Sequence, residues 1–128
     1  MKGTSTLLKA HAGAVRSVNF GKDGKSLLTA GDDKTVKIWA LPSKRFMATL
    51  SGHSNWVRTA VFSPDQQLVA SGGDDKTVRV WDATKGQLIQ TYYDPTDIVT
   101  SVQFHPEGTS IACGSNDRPL GDILILKV

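Results

Sequence analysis

Asp33, Asp75 and Asp117 stand 42 residues apart, and so do Phe20, Phe62 and Phe104. Trp39 and Trp81 keep the same interval, as do His11 and His53. A fixed period of this length means one supersecondary unit copied along the chain, each copy burying a face against the next. The middle copy runs from His53 through Trp56-Val57-Arg58-Thr59-Ala60-Val61-Phe62 to Asp74-Asp75-Lys76-Thr77-Val78-Arg79-Val80-Trp81-Asp82. The first copy repeats its closing half as Asp32-Asp33-Lys34-Thr35-Val36-Lys37-Ile38-Trp39.

Within a copy the short period is two. Val36-Lys37-Ile38-Trp39 and Val78-Arg79-Val80-Trp81 alternate, and β-branched and aromatic residues dominate them. Turn signals separate the runs: Lys22-Asp23-Gly24, Ser63-Pro64-Asp65 and Pro106-Glu107-Gly108. Four strands per copy follow: roughly 14–20, 26–31, 35–40 and 45–50, then 56–62, 68–73, 77–82 and 87–92. The third copy supplies about 98–104, 110–114 and 123–127 before the chain stops. Twelve Gly and five Pro suit such a turn-rich β protein better than a helical bundle. The expectation is an all-β chain of three repeats, about 9–50, 51–92 and 93–128, with residues 5–8 as the outer strand of a preceding unit.

Composition excludes several classes. With 39% hydrophobic and 21% charged residues the chain is neither a disordered polyelectrolyte nor a membrane-spanning protein. The longest apolar run, Ile123-Leu124-Ile125-Leu126, is far short of a span, and Met1-Lys2-Gly3-Thr4-Ser5 leads into no long apolar stretch, so a secretory signal is not expected. A single Cys builds neither a disulfide framework nor a Cys-rich zinc site, as expected of a soluble protein in a reducing compartment. The net charge of +3 conceals a gradient: +6 over residues 1–50, zero over 51–92 and −3 over 93–128. The basic third either meets an acidic surface or is simply solvated.

Units of this length, opened by Gly52-His53 and closed by Trp81-Asp82, resemble WD-repeat β-propeller blades. The first copy departs at Ala10-His11 and Trp39-Ala40. The resemblance implies a polar cluster tying each blade together: His11, Thr29, Asp33 and Trp39 in the first, and His53, Ser71, Asp75 and Trp81 in the second. Asp accepts from the imidazole, the hydroxyl bridges, and the indole N–H finds an acceptor. His53, Ser71 and Asp75 are also the residue types of a hydrolase triad. No Gly-x-Ser-x-Gly elbow accompanies them, and Thr29 takes the serine's place in the first copy, as a structural device allows. No cofactor, nucleotide or metal site is expected; the Asp32-Asp33 and Asp74-Asp75 pairs sit in turns without further ligands. The third copy is degenerate. Pro95 stands for the His, Cys113 for Ser71, and Arg118-Pro119-Leu120-Gly121-Asp122 interrupts the run. Matching Leu126 to Trp81 requires three inserted residues; otherwise the residues after Asp117 leave the pattern. This unit is expected to lack the full cluster and to be the least stable.

A closer resemblance rests on His53-Ser54-Asn55-Trp56-Val57-Arg58, the two Asp-Asp-Lys-Thr-Val runs ending in Trp, and Phe104-His105-Pro106-Glu107-Gly108-Thr109. These are similar to the proteome-of-centriole WD-repeat family. That family implies a seven-bladed propeller followed by a coiled coil, located in the cytoskeleton at centrioles and basal bodies, supporting triplet microtubules and cilium assembly. Seven such units need more than twice the 128 residues here, so a piece of a larger ring, or assembly with other copies or a partner, is expected. The expected function is a non-catalytic scaffold binding tubulin and other centriolar proteins, without nucleic acid or membrane. The alternative is a ubiquitin-ligase substrate receptor or other adaptor, against which Trp81-Asp82-Ala83-Thr84 lacks the Trp-Asp-x-Arg signature. Family positions that face partners fall on Arg16, Asp32, Trp56, Arg58, Asp74 and Asn116. Trp56 is the foremost candidate because Ala14 and Ile98 fill its place elsewhere, and Trp and Arg are hot-spot types. The competing role for Trp56 is packing on a neighbouring blade.

Overall fold

A computed structural model describes residues 3–116 and 123–128. Eleven strands run in chain order: β1 (Val15–Phe20), β2 (Ser26–Gly31), β3 (Thr35–Ala40), β4 (Arg45–Ser51), β5 (Val57–Phe62), β6 (Leu68–Gly73), β7 (Val78–Asp82), β8 (Leu88–Tyr92), β9 (Val99–Phe104), β10 (Ser110–Ser115) and β11 (Ile123–Lys127). They form three antiparallel meanders: β1 to β4, β5 to β8, and a three-stranded sheet of β9 to β11. These are three consecutive propeller blades, with no helix among the described residues. Residues 5–8 belong to none of the three sheets, since a strand exists only where a neighbouring edge supplies hydrogen bonds.

The innermost strands of the first two blades begin one residue later than the alternation predicts. The Asp32 amide donates to the Ala14 carbonyl and the Asp74 amide to the Trp56 carbonyl, both at 2.9 Å. A bulge follows each, between Val15 and Ser17 and between Val57 and Thr59. Glycine is needed opposite them. A Cβ on Gly73 would stand 2.0 Å from the Trp56 carbonyl oxygen, and one on Gly31 would stand 2.6 Å from that of Ala14.

The core lies between the blades. Leu28, Ala30, Val36, Ile38 and Leu50 of the first blade pack on Val57, Ala60, Val69 and Trp81 of the second. The second blade's other face (Val61, Ala70, Val78, Val80, Tyr92) packs on Val99, Val102, Ile111, Cys113 and Leu126 of the third. Side chains alternate across a sheet, so a blade with neighbours on both sides buries both sets. In β6 every residue from Val69 to Gly73 is buried, whereas in β1 none is.

Polar contacts lock the two seams. Asn19 Nδ2 donates to the Ala60 carbonyl at 2.8 Å, and the Ala60 amide donates to Ser17 Oγ at 3.3 Å. The Tyr92 hydroxyl donates to the Lys127 carbonyl at 2.5 Å.

The third blade settles the register left open by its sequence. Leu126 pairs with Ile111 as Trp81 pairs with Val69 and Trp39 with Leu27. Leu126 therefore takes the indole's place, and the pattern resumes in β11. The course of Asp117 and of Arg118 to Asp122 lies outside the described residues.

Candidate partner-binding surface

Two clusters of the same plan tie the second and third strands of the first two blades to their loops. In the second blade Trp81 Nε1 donates to Ser71 Oγ at 2.8 Å. Ser71 Oγ stands 2.7 Å from His53 Nε2, and His53 Nδ1 stands 2.8 Å from Asp75. One assignment satisfies every group: Nδ1–H donates to the carboxylate, Nε2 accepts from the serine, and the serine oxygen accepts from the indole. In the first blade His11 reaches Asp33 and Thr29 at 2.8 Å each, and the Trp39 indole donates to Thr29 at 3.0 Å. Thr35 and Thr77, not singled out by sequence reasoning, donate to Asp33 and Asp75 at 2.8 Å. Their signal was visible in the repeated Asp-Lys-Thr.

Burial opposes ionisation of Asp75. Hydrogen bonds from His53 and Thr77, the charge interaction with His53 and the Ser54 amide outweigh it and hold the carboxyl well below the usual range. Asp33 is lowered in the same way, with Thr35, His11 and the Ala12 amide overcoming its burial. The Ser71–His53–Asp75 line thus has triad distances, yet Ser71 is fully buried and its oxygen is held by the Trp81 indole. A substrate carbonyl has no path to it in this packing. Among the described residues no group of three His, Cys, Asp or Glu stands close enough to hold a metal ion.

At the third blade the cluster is replaced by apolar groups. Pro95, Cys113 and Leu126 are all buried where the others carry His, Ser or Thr, and Trp. Burial, and then the nearby Asp94 charge, push the Cys113 thiol up. Among the described residues no buried side-chain nitrogen or oxygen lacks a partner. The missing cluster leaves a smaller apolar core rather than a broken network.

The partner-facing candidates gather at the blade ends where each inner strand begins and each second strand turns into the third. Arg16 grips Asp32 through two bonds of 2.8 and 2.9 Å. Arg58 grips Asp74 in the same two-pronged way. The Asp32 hydrogen bond and charge raise the Arg16 pKa, Asp74 does the same for Arg58, and the Arg16 hydrogen bond lowers Asp32. The two pairs share a field, since Arg16 also feels Asp74 and Arg58 feels Asp32. Trp56 sits between them. The Arg16 guanidinium lies 5.0 Å from the centre of its ring, a cation–π contact across the seam, and 40% of Trp56 remains exposed. Trp56 thus touches the first blade and still offers surface. The third blade has Thr100 and Asn116 where the others have Arg and Asp, so that ion pair is absent there. Asn116 is exposed and its amide donates to the Ile98 carbonyl at 3.2 Å.

The profile of the family described as WD domain, G-beta repeat matches residues 2–40, 44–82 and 86–118. The chain belongs to the WD-repeat family. Among curated relatives, DDB1- and CUL4-associated factor 13 of Dictyostelium discoideum is 47% identical over 36 residues, which is 28% of this chain and 8% of the relative. WD repeat domain-containing protein 83 of Danio rerio is 46% identical over 39 residues, 30% of this chain and 12% of the relative. The matched segments therefore span about a tenth of each relative's length. WD repeats in general present rigid blade ends to other proteins.

Proposed function

We propose that this WD-repeat chain is a non-catalytic protein-interaction scaffold of the centriole and basal body that binds triplet microtubules and supports cilium assembly. WD repeats in general serve as protein-binding scaffolds rather than enzymes, which is the coarser part of this reading. The observation that carries it is the half-exposed Trp56 ring, braced by Arg16 and flanked by two closed Arg–Asp pairs. An aromatic side chain fixed before binding loses little freedom on docking, and so makes an efficient anchor. The paired charges suit the rim, where they order water and reject like-charged partners. The centriolar part rests on the likeness of the His53 to Arg58 segment and the Asp-Asp-Lys-Thr-Val runs to that family. The tubulin part rests on charge. Lys22, Lys25, Lys34, Lys44 and Arg45 of the first blade are exposed, and tubulin surfaces are acidic.

Microtubule co-sedimentation tests the reading. Trp56→Ala is expected to weaken binding about tenfold or more while leaving stability nearly unchanged. Reversing Lys22, Lys34 and Lys44 to Glu should weaken it further and flatten its salt dependence. If wild type does not pellet with microtubules, or neither variant differs from it, the tubulin reading is lost.

The second reading is an adaptor in a ubiquitin-ligase complex. The relative named DDB1- and CUL4-associated factor 13 favours it. Thr84 stands where the Trp-Asp-x-Arg signature has Arg, which weighs against it. Binding of the chain to purified DDB1, abolished by Trp56→Ala or by changes at the blade ends, would favour this reading over the microtubule one.

A further inference from the structure

A groove enters the first seam at the blade ends opposite Trp56. Trp56 precedes β5, whereas Phe62, which ends that strand, lines the groove. Ile38, Ala48, Phe62 and Ala83 form its apolar floor, and its volume is about 310 Å³. That is room for one or two side chains of a partner, at the lower limit of ligand cavities. Both walls, the first blade and the second, belong to this chain, so no other blade is needed to shape it. Gln66 braces them: its Oε1 accepts from the Asp23 amide at 2.9 Å across the seam.

Strand β4 brings two consecutive residues to the groove, although neighbours on a strand ordinarily face opposite ways. Its pairing with β3 passes from Ala48 on Ile38 to Phe46 on Trp39, so Met47 is an extra, bulged residue. Met47 and Ala48 therefore both line the groove, and Met47 is 52% exposed. The Arg45 guanidinium donates to the Met47 sulfur at 3.5 Å, which places a cation on the same lip. Lys25 lines the groove as well. Among the described residues neither cation is in an ion pair. The carboxylates of the neighbouring turns are engaged by main-chain amides, Asp23 by that of Lys25 and Asp82 by those of Thr84 and Lys85.

The repeat itself does not require this groove. One period on, Ser26 and Ala48 become the larger Leu68 and Gln90, and Lys25 and Arg45 become the uncharged Gln67 and Gln87. The second blade repeats the bulge at Ile89, so side chains make the difference. Small floor residues and unpaired cations coincide in one seam and are replaced together at the same register of the next blade.

We infer that this groove binds an extended acidic segment of another protein, seating one bulky apolar side chain between Met47 and Phe62 and setting carboxylates against Lys25 and Arg45. The apolar floor supplies the anchor, and opposite charge fixes register and speeds encounter. The site goes beyond the Trp56 surface, which lies at the other blade ends, and holds whether or not the chain binds microtubules.

Fluorescence anisotropy tests this with labelled acidic octapeptides that carry Leu, Met, Phe or Ala at the centre. At least one bulky-centred peptide should bind the chain with a dissociation constant of about 100 μM or tighter, and the Ala-centred one at least about tenfold more weakly. Lys25→Gln with Arg45→Gln should weaken binding about tenfold and flatten its salt dependence. Ser26→Leu with Ala48→Gln installs the second blade's side chains, fills the groove and should weaken binding at least about tenfold. Circular dichroism checks that each protein is folded. Met47→Asp, at an exposed position, is the second groove variant should that graft unfold, and it should weaken binding likewise. No saturable binding of any peptide up to about a millimolar overturns the inference. An Ala-centred peptide that binds as well as the others reduces the contact to charge and overturns the groove. Folded groove variants that bind like wild type place the peptide elsewhere and overturn it too. None of these outcomes bears on the Trp56 reading, whose test is microtubule co-sedimentation.

Discussion

The second and third blades solve one packing problem with opposite chemistry. In the second, Trp81, Ser71, His53 and Asp75 form a closed polar chain in which Ser71 is fully buried. At the same register of the third, Leu126, Cys113 and Pro95 fill the space without a comparable chain. A buried hydroxyl is tolerable only while both its neighbours are present, whereas replacing the whole set by apolar groups can be nearly neutral. The expectation that a degenerate third unit is the least stable therefore does not follow from its missing cluster alone. The third copy keeps Asp117 at the aspartate position but replaces the histidine, hydroxyl and indole together, so one chain carries both solutions.

The largest expected effect is at the indole. Trp81→Ala should destabilise by about 3–5 kcal/mol in urea unfolding, through its cavity and the lost donor to Ser71. The sharper experiment converts one blade's chemistry into the other's. Trp81→Leu with Ser71→Cys should destabilise by less than the two single changes added together, with a coupling of about 0.5–3 kcal/mol. Strict additivity would break the claim that the cluster acts as a unit.

Next come the hydroxyl positions. Ser71→Ala strands the indole N–H and the His53 Nε2 acceptor and should destabilise by about 1–3 kcal/mol. In the third blade the dependence reverses: Cys113→Ser brings a hydroxyl into a site without indole or imidazole and should itself destabilise by about 1–3 kcal/mol. If Cys113→Ser is silent, that site is more polar than its neighbours imply.

The pH dependence is smaller. Asp75 and Asp33 lie below the ordinary 3.8 in the folded protein, so the unfolded chain binds their protons first. Their contribution is complete above the unfolded value and is lost as pH falls through the folded ones. Urea unfolding between about pH 5 and pH 2 should show stability dropping toward acid. Asp75→Asn should flatten that slope, and an unchanged slope would mean the carboxylate is not held by His53.

The smallest effect is a rate. Cys113 is buried and its thiol pKa is raised, so an aromatic disulfide reagent should react only when the third blade opens. Leu126→Ala should speed that labelling more than Trp81→Ala does if the blades open separately. Equal acceleration would show the two blades opening as one unit.

Most of the fold was legible before any coordinates, because repetition multiplies a weak local signal. A single run such as Val78-Arg79-Val80-Trp81 is ambiguous; its copy at Val36-Lys37-Ile38-Trp39 makes the period of two and the turn between copies hard to mistake. The polar clusters were equally readable, since His, hydroxyl, Asp and Trp keep their places in the first two copies. Thr35 and Thr77 escaped notice because a threonine in a strand already has a reason to be there. The closure of Arg16 on Asp32 and Arg58 on Asp74 also escaped, because each pair spans a bulge whose geometry the residue types do not announce.

The sequence by itself determined the unit, its strands and the group that each buried donor would seek, because these are set by spacing within one copy. Only the tertiary structure decided which faces are covered. The alternation in β1 and β5 reads alike, yet Val18 and Phe20 face outward while Ala60 and Phe62 lie in a seam. Burial belongs to the space between blades, and a side chain's exposure is settled by whether a neighbouring sheet stands there.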